Sequence, residues 1–193
     1  MGTKGEKRRT KAWGWMPLSA VFALLDSPAG GYGGDMPCPI RGSAWQLACL
    51  LAACYGVAAL GGVSTAQGVR EWYPTLAKPA HTPPSWVFGP VWTTLYGLLA
   101  VSLWRVWRAE GAREAKALFW GLLLVNAAWS HLFFGLRRPD LALADIALYL
   151  ALLAGLIRAL AKVDRTAAWL QAPHAAWVAY AATINAGVVW LNR

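Results

Sequence analysis

The chain has 193 residues, of which 58% are hydrophobic and only 14% are charged, and its mean hydropathy is +0.39. A soluble globule of this size needs more polar side chains to cover its surface, so the composition favours a membrane protein over a soluble helical bundle. The net charge of +9 does not indicate nucleic-acid binding, because the basic residues stand at the ends of apolar runs rather than along one polar face.

The N-terminal region differs in composition from the rest of the chain. A basic run at 4–11 is followed by a Gly- and Pro-rich segment at 27–42, which is typical of a disordered tail. Two alternatives are a targeting segment, since basic residues precede a short apolar patch, and a translation start at Met36. We therefore predict a disordered basic tail over 1–43 and a membrane domain over 44–193.

Five long stretches of the membrane domain carry almost no charge, and only one of them contains an acidic residue, Asp145. The stretches are 42–69, 79–104, 117–136, 141–157 and 166–192. A helix rises about 1.5 Å per residue, so about 20 apolar residues cross the roughly 30 Å hydrocarbon layer. The pattern predicts an all-α integral membrane bundle of five transmembrane helices with short, antiparallel connections. The last four spans are predicted at 86–107, 115–135, 141–161 and 168–191.

Lys and Arg residues are divided unevenly between the two ends of these spans. Thirteen lie on the side of the N-terminal tail and five on the opposite side. The positive-inside rule then predicts a cytoplasmic N-terminus, and the odd number of spans predicts a C-terminus on the other side of the bilayer.

The sequence shows no pattern of a metal site or of catalysis. Cys38, Cys49 and Cys54 lack metal-ligand spacing, and two of them lie in the first span, so free thiols are expected. Neither His131 nor His174 has a third ligand at helical spacing. Because no nucleophile–base pair or nucleotide-binding loop is visible either, we expect no catalytic residues, no metal and no obligatory cofactor.

Tryptophan is unusually frequent, with 13 residues. Six of them lie near the ends of the predicted spans, where the indole N–H can reach water while the ring lies in lipid. These residues, which we expect to form an interfacial belt, are Trp45, Trp104, Trp107, Trp120, Trp169 and Trp190.

The connection between the first two spans is rich in Trp, Tyr and Pro, and its prolines prevent one continuous helix. The order of residues over 71–79 and 83–96 follows the pattern W-Y-x-x-L-x-K-P-x-x-x-P-P-x-W-V-x-G-P-V-W-x-x-L-Y at more than a dozen positions. On these residues the chain resembles the TspO/MBR family of translocator and tryptophan-rich sensory proteins.

Later segments extend the resemblance to about 44–192. Residues 126–129 and 133–135 resemble the N-x-x-W and F-F-G pattern of the family's third helix, and 137–145 resembles its continuation. The positions of the last span that resemble the family's last helix are Pro173, Trp177, Ala179, Ala181, Thr183 and Asn185.

Four positions depart from the family pattern. Residues 80–81 are Ala-His where many members have Ser-Trp, and Leu141 stands where animal members have a tryptophan. Ala186 occupies the tyrosine position of the sterol-recognition pattern, which argues against specific cholesterol recognition.

The resemblance implies a ligand cavity inside the bundle. A tetrapyrrole is flat, apolar on its faces and acidic at its edge, so it suits indole and tyrosine rings with a basic residue at the mouth of the cavity. By resemblance, Trp92 and Trp177 line this cavity and face one another, while the loop containing Trp72, Tyr73 and Lys78 either covers it as a lid or only caps the bundle. The predicted ligand-binding residues are Trp72, Tyr73, Lys78, Trp92, Tyr96, Asn126, Trp129 and Trp177.

Three polar residues within spans, Asp145, Asn126 and Asn185, are expected to face the bundle, because a carboxylate or amide in lipid is costly. We interpret them as a hydrogen-bond network that fixes helix packing, with direct ligand contact as the alternative.

The resemblance implies a membrane receptor or transporter-like protein that binds porphyrins or sterol-like hydrophobic ligands, with a role in tetrapyrrole homeostasis or stress regulation. One alternative is an enzyme that degrades protoporphyrin oxidatively in light, with Trp92 and Trp177 as redox-active indoles; another is a structural scaffold. The expected partners are the lipid bilayer and a porphyrin- or haem-type small molecule.

Small residues recur every four positions in the fourth span, at Ala147, Ala151, Gly155 and Ala159. Such a stripe lets helices approach closely. It fits packing within the bundle and a homodimer equally well.

Overall fold

The computed structural model describes residues 41–193, which form an all-helical domain. In this part of the chain there are six α-helices: α1 (Ala44–Glu71), α2 (Phe88–Val106), α3 (Ala112–Ser130), α4 (Pro139–Ala161), α5 (Arg165–Trp169) and α6 (Ala172–Leu191). Two 3-10 turns, Tyr73–Thr75 and Ser85–Val87, lie between α1 and α2, and a π-helical turn, His131–Gly135, extends α3. Except for residues 41–43, the predicted tail lies outside the described residues, as does Cys38.

The long helices run alternately between two ends of the bundle. We call the end that carries residues 41–43 the tail end, and the end that carries the connection 72–87 the loop end. α1 packs on α2 and α3, α3 packs on α4, and α4 packs on α6. The predicted antiparallel packing of successive helices follows from the short connections at each end.

Local sequence explains where several helices begin and end. At the start of α1, Gln46 N donates to Ser43 Oγ (3.4 Å) and Ser43 N donates to Gln46 Oε1 (2.6 Å), which forms a capping box. At the other end of α1, Pro74 and the prolines that follow it remove the backbone donors that a continuing helix needs.

The last predicted span, 168–191, is divided in the structure. Asp164 accepts hydrogen bonds from the backbone N–H groups of Thr166 (2.8 Å) and Ala167 (3.3 Å), and so starts the separate short helix α5. The following long helix, α6, then begins with Pro173 in its first turn. The span is therefore preceded by one extra helical turn at the tail end.

The main apolar core occupies the tail half of the bundle. Leu99, Leu103, Phe119 and Leu153 are almost fully buried there. Next to this core, Nε of Arg105 donates to a carboxylate oxygen of Asp164 at 2.7 Å, and both side chains are buried. A smaller cluster at the loop end contains Phe133, Ala142 and Val188, against which Trp72 and Tyr73 pack.

Four of the described helical segments are long and apolar enough to cross a membrane. They are Ala44–Gly62, Ser85–Val106, Ala112–Gly135 and Pro139–Ala161. α6 is 20 residues long but is not among them, because polar residues such as Thr183 and Asn185 lower its hydropathy. The prediction of an all-α, multi-pass integral membrane protein is confirmed; its count of five spans is not.

The tryptophans near the span ends divide into two groups. Trp45, Trp120, Trp169 and Trp190 are at least half exposed, as expected of an interfacial belt. Trp104 and Trp107 instead pack against the core, and the indole N–H of Trp104 donates to the carbonyl of Ser43 at 3.1 Å. Trp104 therefore joins α2 to the start of α1.

The stripe of small residues in α4 serves helix packing in its tail half. A Cβ on Gly155 would lie 3.4 Å from the side chain of Leu118 in α3, and Ala159 is buried. Ala147 and Ala151, nearer the loop end, are exposed.

Candidate functional site

A cavity of about 430 Å³ lies between the two apolar clusters. α1, α2, α3 with its π-helical turn, α4 and α6 all contribute to its wall. Its aromatic lining residues are Tyr73, Phe88, Trp92, Tyr96, Trp129, Phe133, Phe134 and Tyr149. Its polar lining residues are Thr65, Ser85, Thr93, Asn126, Ser130, Asp145 and Asn185.

The aromatic rings of the wall support one another. The ring of Trp92 lies 5.5 Å from that of Tyr96 and meets His174 edge-on at 5.9 Å. Across the cavity Trp129 stacks on Phe133, with ring centroids 5.1 Å apart and an interplanar angle of 20°. Because these rings are held by neighbours, they present preformed apolar faces to the cavity.

The polar part of the wall is only partly hydrogen-bonded. The hydroxyl of Tyr96 donates to the side-chain carbonyl of Asn126, and Nδ2 of Asn185 donates to the backbone carbonyl of Pro139 at 2.7 Å. Within residues 41–193, however, Nε1 of Trp129, Oδ2 of Asp145 and Oδ1 of Asn185 are buried without a partner. Each such atom costs roughly 1–3 kcal/mol relative to a satisfied one.

A second polar chain lies on the tail side of the cavity and is satisfied at each step. The hydroxyl of Tyr149 hydrogen-bonds Nε2 of His174 at 2.9 Å, and Nδ1 of His174 hydrogen-bonds Oε1 of Gln171 at 3.1 Å. Nε2 of Gln171 donates to Oγ of Ser102 at 2.6 Å and to the carbonyl of Leu98 at 3.2 Å. The chain ties α4, α6 and α2 together beneath the cavity.

The connection between α1 and α2 covers the loop end of the cavity through the ring of Tyr73. Lys78 Nζ donates to the carbonyls of Tyr73 (2.9 Å) and Leu76 (2.8 Å), and it lies 4.9 Å from the centre of the Tyr73 ring. Burial raises the pKa of the Tyr73 hydroxyl above its ordinary value, so this group stays neutral at physiological pH.

The same connection is fastened to α6. The backbone N–H of Ala77 donates to Oδ1 of Asn192 (3.0 Å), and Nδ2 of Asn192 donates back to the carbonyl of Ala77 (2.9 Å). Pro79 lies against Gly187, where a Cβ would overlap the proline ring. The hydroxyl of Tyr180 donates to the carbonyl of His81.

Of the eight predicted ligand-binding residues, the structure brings five together along the cavity. These are Tyr73, Trp92, Tyr96, Asn126 and Trp129.

The other three are adjacent to the cavity wall rather than part of it. Trp72 packs edge-on against Phe133 with centroids 5.5 Å apart, and Trp177 packs edge-on against Phe88 at 5.7 Å. Lys78 is engaged with the loop carbonyls described above. Trp92 thus lies on the cavity wall, whereas Trp177 lies next to Phe88.

The sequence favoured a structural network for Asp145, Asn126 and Asn185, with direct ligand contact as the alternative, and the structure places all three along the cavity. Sequence reasoning missed Phe133 and Tyr149. A helical-periodicity argument would have found both, since Phe133 follows Trp129 by four residues and Tyr149 follows Asp145 by four, and such pairs share one face of a helix.

Comparison with known proteins matches this architecture to one family. The sequence profile of the TspO/MBR family matches residues 49–191, which include every residue that lines the cavity. The chain belongs to the TspO/MBR family. This confirms the resemblance on which the site prediction rested.

The curated relatives of this chain include bacterial and animal proteins. The tryptophan-rich protein TspO of Chlorobaculum tepidum is 33% identical over 76% of this chain and 95% of its own length. The human translocator protein is 40% identical over 62% of this chain and 73% of its own length. The tryptophan-rich sensory protein of Cereibacter sphaeroides is 34% identical over 74% of this chain and 88% of its own length.

Proposed function

We propose that this chain is a membrane receptor that binds a flat hydrophobic ligand, a tetrapyrrole such as a porphyrin or a sterol-like molecule, inside the helical bundle. The observation that carries the proposal is the cavity, whose wall combines preformed aromatic faces with buried polar atoms that lack partners in the described chain. Membership of the TspO/MBR family supports a receptor-like role in a membrane.

The aromatic faces favour a planar ligand. The cavity of about 430 Å³ falls within the range of about 300–1,000 Å³ that is typical of small-molecule sites. Stacking on rings such as Trp92 and Trp129 contributes roughly 0.5–1.5 kcal/mol per ring beyond the burial of apolar area. A planar molecule that lies between Trp92 and Trp129 would stack on both rings.

The polar atoms favour a tetrapyrrole over a sterol. Asp145 Oδ2 and Asn185 Oδ1 are acceptors, whereas Trp129 Nε1 is a donor. A porphyrin carries carboxyl groups at its edge: an ionised one can accept a hydrogen bond from Trp129 Nε1, and a protonated one can donate to Asp145 or Asn185. A sterol has one hydroxyl, which would leave most of the buried polar atoms of the wall without partners.

The three predicted residues that do not line the cavity would affect ligand binding indirectly, by holding lining residues in place. Lys78 holds the backbone around Tyr73 through two carbonyls, Trp72 lies behind Phe133, and Trp177 lies behind Phe88. Replacing any of them would change the shape of the cavity wall without removing a direct ligand contact.

We also propose that α6 crosses the membrane, which gives five spans. Its 20 residues rise about 30 Å, which matches the thickness of the hydrocarbon layer. α6 packs along α4, which is itself a candidate span. The polar side chains that lower its hydropathy are accommodated inside the bundle, since Asn185 and His174 are both buried.

The test of ligand binding is a titration of the purified protein with protoporphyrin in the dark, followed by the absorbance of the porphyrin. The Trp92→Leu variant keeps an apolar side chain but removes the ring, so we expect its affinity to fall about tenfold, which corresponds to 1.4 kcal/mol. Trp169→Leu is the matched control, because the ring of Trp169 is 73% exposed at the tail end, and its affinity should stay within about twofold of wild type.

Repeating the titration under illumination separates a receptor from a degrading enzyme. A receptor gives a stable spectral shift in the dark and in light, whereas an enzyme would bleach the porphyrin with formation of a product. If wild-type protein causes no spectral change at any protoporphyrin concentration, the proposed tetrapyrrole function is wrong.

A further inference from the structure

α1 changes its packing partner along its length. In its tail half α1 is joined to α2: Gly42 N donates to the carbonyl of Trp104 (2.8 Å), and the hydroxyl of Tyr55 donates to the carbonyl of Thr93 (3.2 Å). In its loop half α1 packs instead on α3 and the π-helical turn. A Cβ on Gly61 would lie 2.9 Å from Oγ of Ser130, and one on Gly68 would lie 2.7 Å from the ring of Phe134.

This change of partner leaves α1 and α2 apart in the loop half of the bundle. Among the described residues, the hydrogen bonds that join the two helices lie at the Tyr55–Thr93 pair or nearer the tail end. Beyond that pair, Gly62 of α1 and Gly89 of α2 both line the cavity and both are exposed. A Cβ on either glycine would meet nothing within 4 Å. We call the opening bounded by Gly62, Gly89 and Thr93 the α1–α2 gap.

The α1–α2 gap lies at the loop ends of two candidate membrane spans. Gly62 is the last residue of Ala44–Gly62, and Gly89 is the fifth residue of Ser85–Val106. At the loop end, by contrast, the connection 72–87 lies across the bundle and is fastened to α6 through the Asn192–Ala77 pair and the Tyr180–His81 bond. The cavity is therefore open sideways between α1 and α2, whereas its loop end is covered by a connection that is fixed to α6.

We propose that the ligand enters and leaves the cavity sideways through the α1–α2 gap, directly from the hydrocarbon phase of the bilayer. This inference rests on the proposed function, because it requires a ligand that occupies the cavity. It fits a molecule that is poorly soluble in water and dissolves in lipid, which reaches the gap by diffusion within the membrane. Glycine at both edges leaves room for a rigid ring system, which a larger side chain would obstruct.

The test replaces the glycines at the two edges and measures binding kinetics. Wild-type protein, Gly62→Leu, Gly89→Leu and the double variant are reconstituted in phosphatidylcholine vesicles, and protoporphyrin preloaded in a second set of vesicles is mixed in by stopped flow. Since the same route serves both directions, a narrowed gap should lower the association and dissociation rate constants together by about tenfold. Because both glycines line the cavity, the dissociation rate constant is the deciding measurement: a narrowed exit lowers it, whereas a leucine that displaces the ligand from its site does not.

Gly56→Leu is the matched control. Gly56 is also an exposed glycine of α1 whose Cβ would meet nothing, but it does not line the cavity. Its rate constants should equal those of wild type. A loss of affinity with an unchanged dissociation rate in Gly62→Leu or Gly89→Leu would mean that leucine blocks the site itself, and it would overturn the lateral route.

Two further outcomes distinguish this inference from the function on which it rests. If wild-type protein binds protoporphyrin at equilibrium but the rates of the double variant are unchanged, the lateral route alone is wrong. If wild-type protein does not bind at equilibrium, the proposed function is wrong and the route is overturned with it.

Discussion

The side chain of Asp145 lies in the cavity wall, within a candidate membrane span. A carboxylate inside a span is expected to meet a partner on a neighbouring helix. Here Asn126 is bonded to Tyr96 and Asn185 to the carbonyl of Pro139, whereas Oδ2 of Asp145 has no partner within residues 41–193. This oxygen is therefore free to accept a hydrogen bond from a ligand in the cavity.

We predict that Asp145→Asn weakens protoporphyrin binding more than it weakens the fold. The change keeps the size of the side chain but removes its charge, and a hydrogen bond to a charged group contributes about 1.5–3 kcal/mol. The affinity should therefore fall by roughly tenfold to a hundredfold. Thermal unfolding in detergent should change little, because no hydrogen bond of Oδ2 within the described chain is lost. Both quantities can be measured on the same preparation.

The control is Asp140→Asn on the same helix. Asp140 is exposed and paired with Arg138 at 2.6 Å, and it does not line the cavity, so its affinity should match wild type. A large drop in the unfolding temperature of Asp145→Asn with unchanged affinity per folded molecule would restore the structural interpretation of Asp145.

At the scale of elements, the connection between α1 and α2 is held on α6 by close backbone packing as well as by hydrogen bonds. Gly187 has no side chain where the ring of Pro79 lies, and Asn192 bonds both backbone groups of Ala77. These contacts keep Tyr73 over the loop end of the cavity. The position of Tyr73 therefore depends on a glycine that is distant from it in the sequence.

We predict that Gly187→Val releases this connection from α6. The added Cβ would overlap Pro79, so the loop must shift, while the core in the tail half of the bundle is untouched. Limited proteolysis of the detergent-solubilised protein should show faster cleavage within 72–87, with helix content by circular dichroism unchanged. Gly56→Val controls for valine in a helix, because its Cβ meets open space. Equal cleavage rates in both variants would contradict the prediction.

The positions of the long helices could be predicted because each is an apolar run bounded by charge. The start of the separate short helix α5 could not, since it depends on Asp164 capping that helix while it also pairs with Arg105. The π-helical turn at His131–Gly135 also has no signal in hydropathy.

The site was harder to predict than the fold. Tyr73, Trp92 and Trp129 lie along the cavity, as expected from the family pattern, whereas Trp177 packs against Phe88. The neighbour that a helical side chain meets depends on packing between distant segments, which periodicity along one helix does not specify. The roles of all these residues in binding stay predictions.

At the scale of the whole molecule, the bias of thirteen basic residues against five predicts the orientation in the membrane. If α6 spans the bilayer, the two termini lie on opposite sides, with the N-terminus in the cytoplasm. Reporters of cytoplasmic and non-cytoplasmic location, fused in turn to each end of the full chain, should give opposite answers. The same answer at both ends would mean an even number of spans and exclude α6 as the fifth.

The ion pair between Arg105 and Asp164 constrains the order in which the bundle is assembled. The two residues are 59 positions apart, so Arg105 is synthesised and reaches the membrane well before Asp164. A guanidinium in hydrocarbon is costly, so its contact with the carboxylate favours the assembled bundle. That contact can form only after the chain beyond α4 has been synthesised. The buried pair at the tail end is therefore completed late in biogenesis.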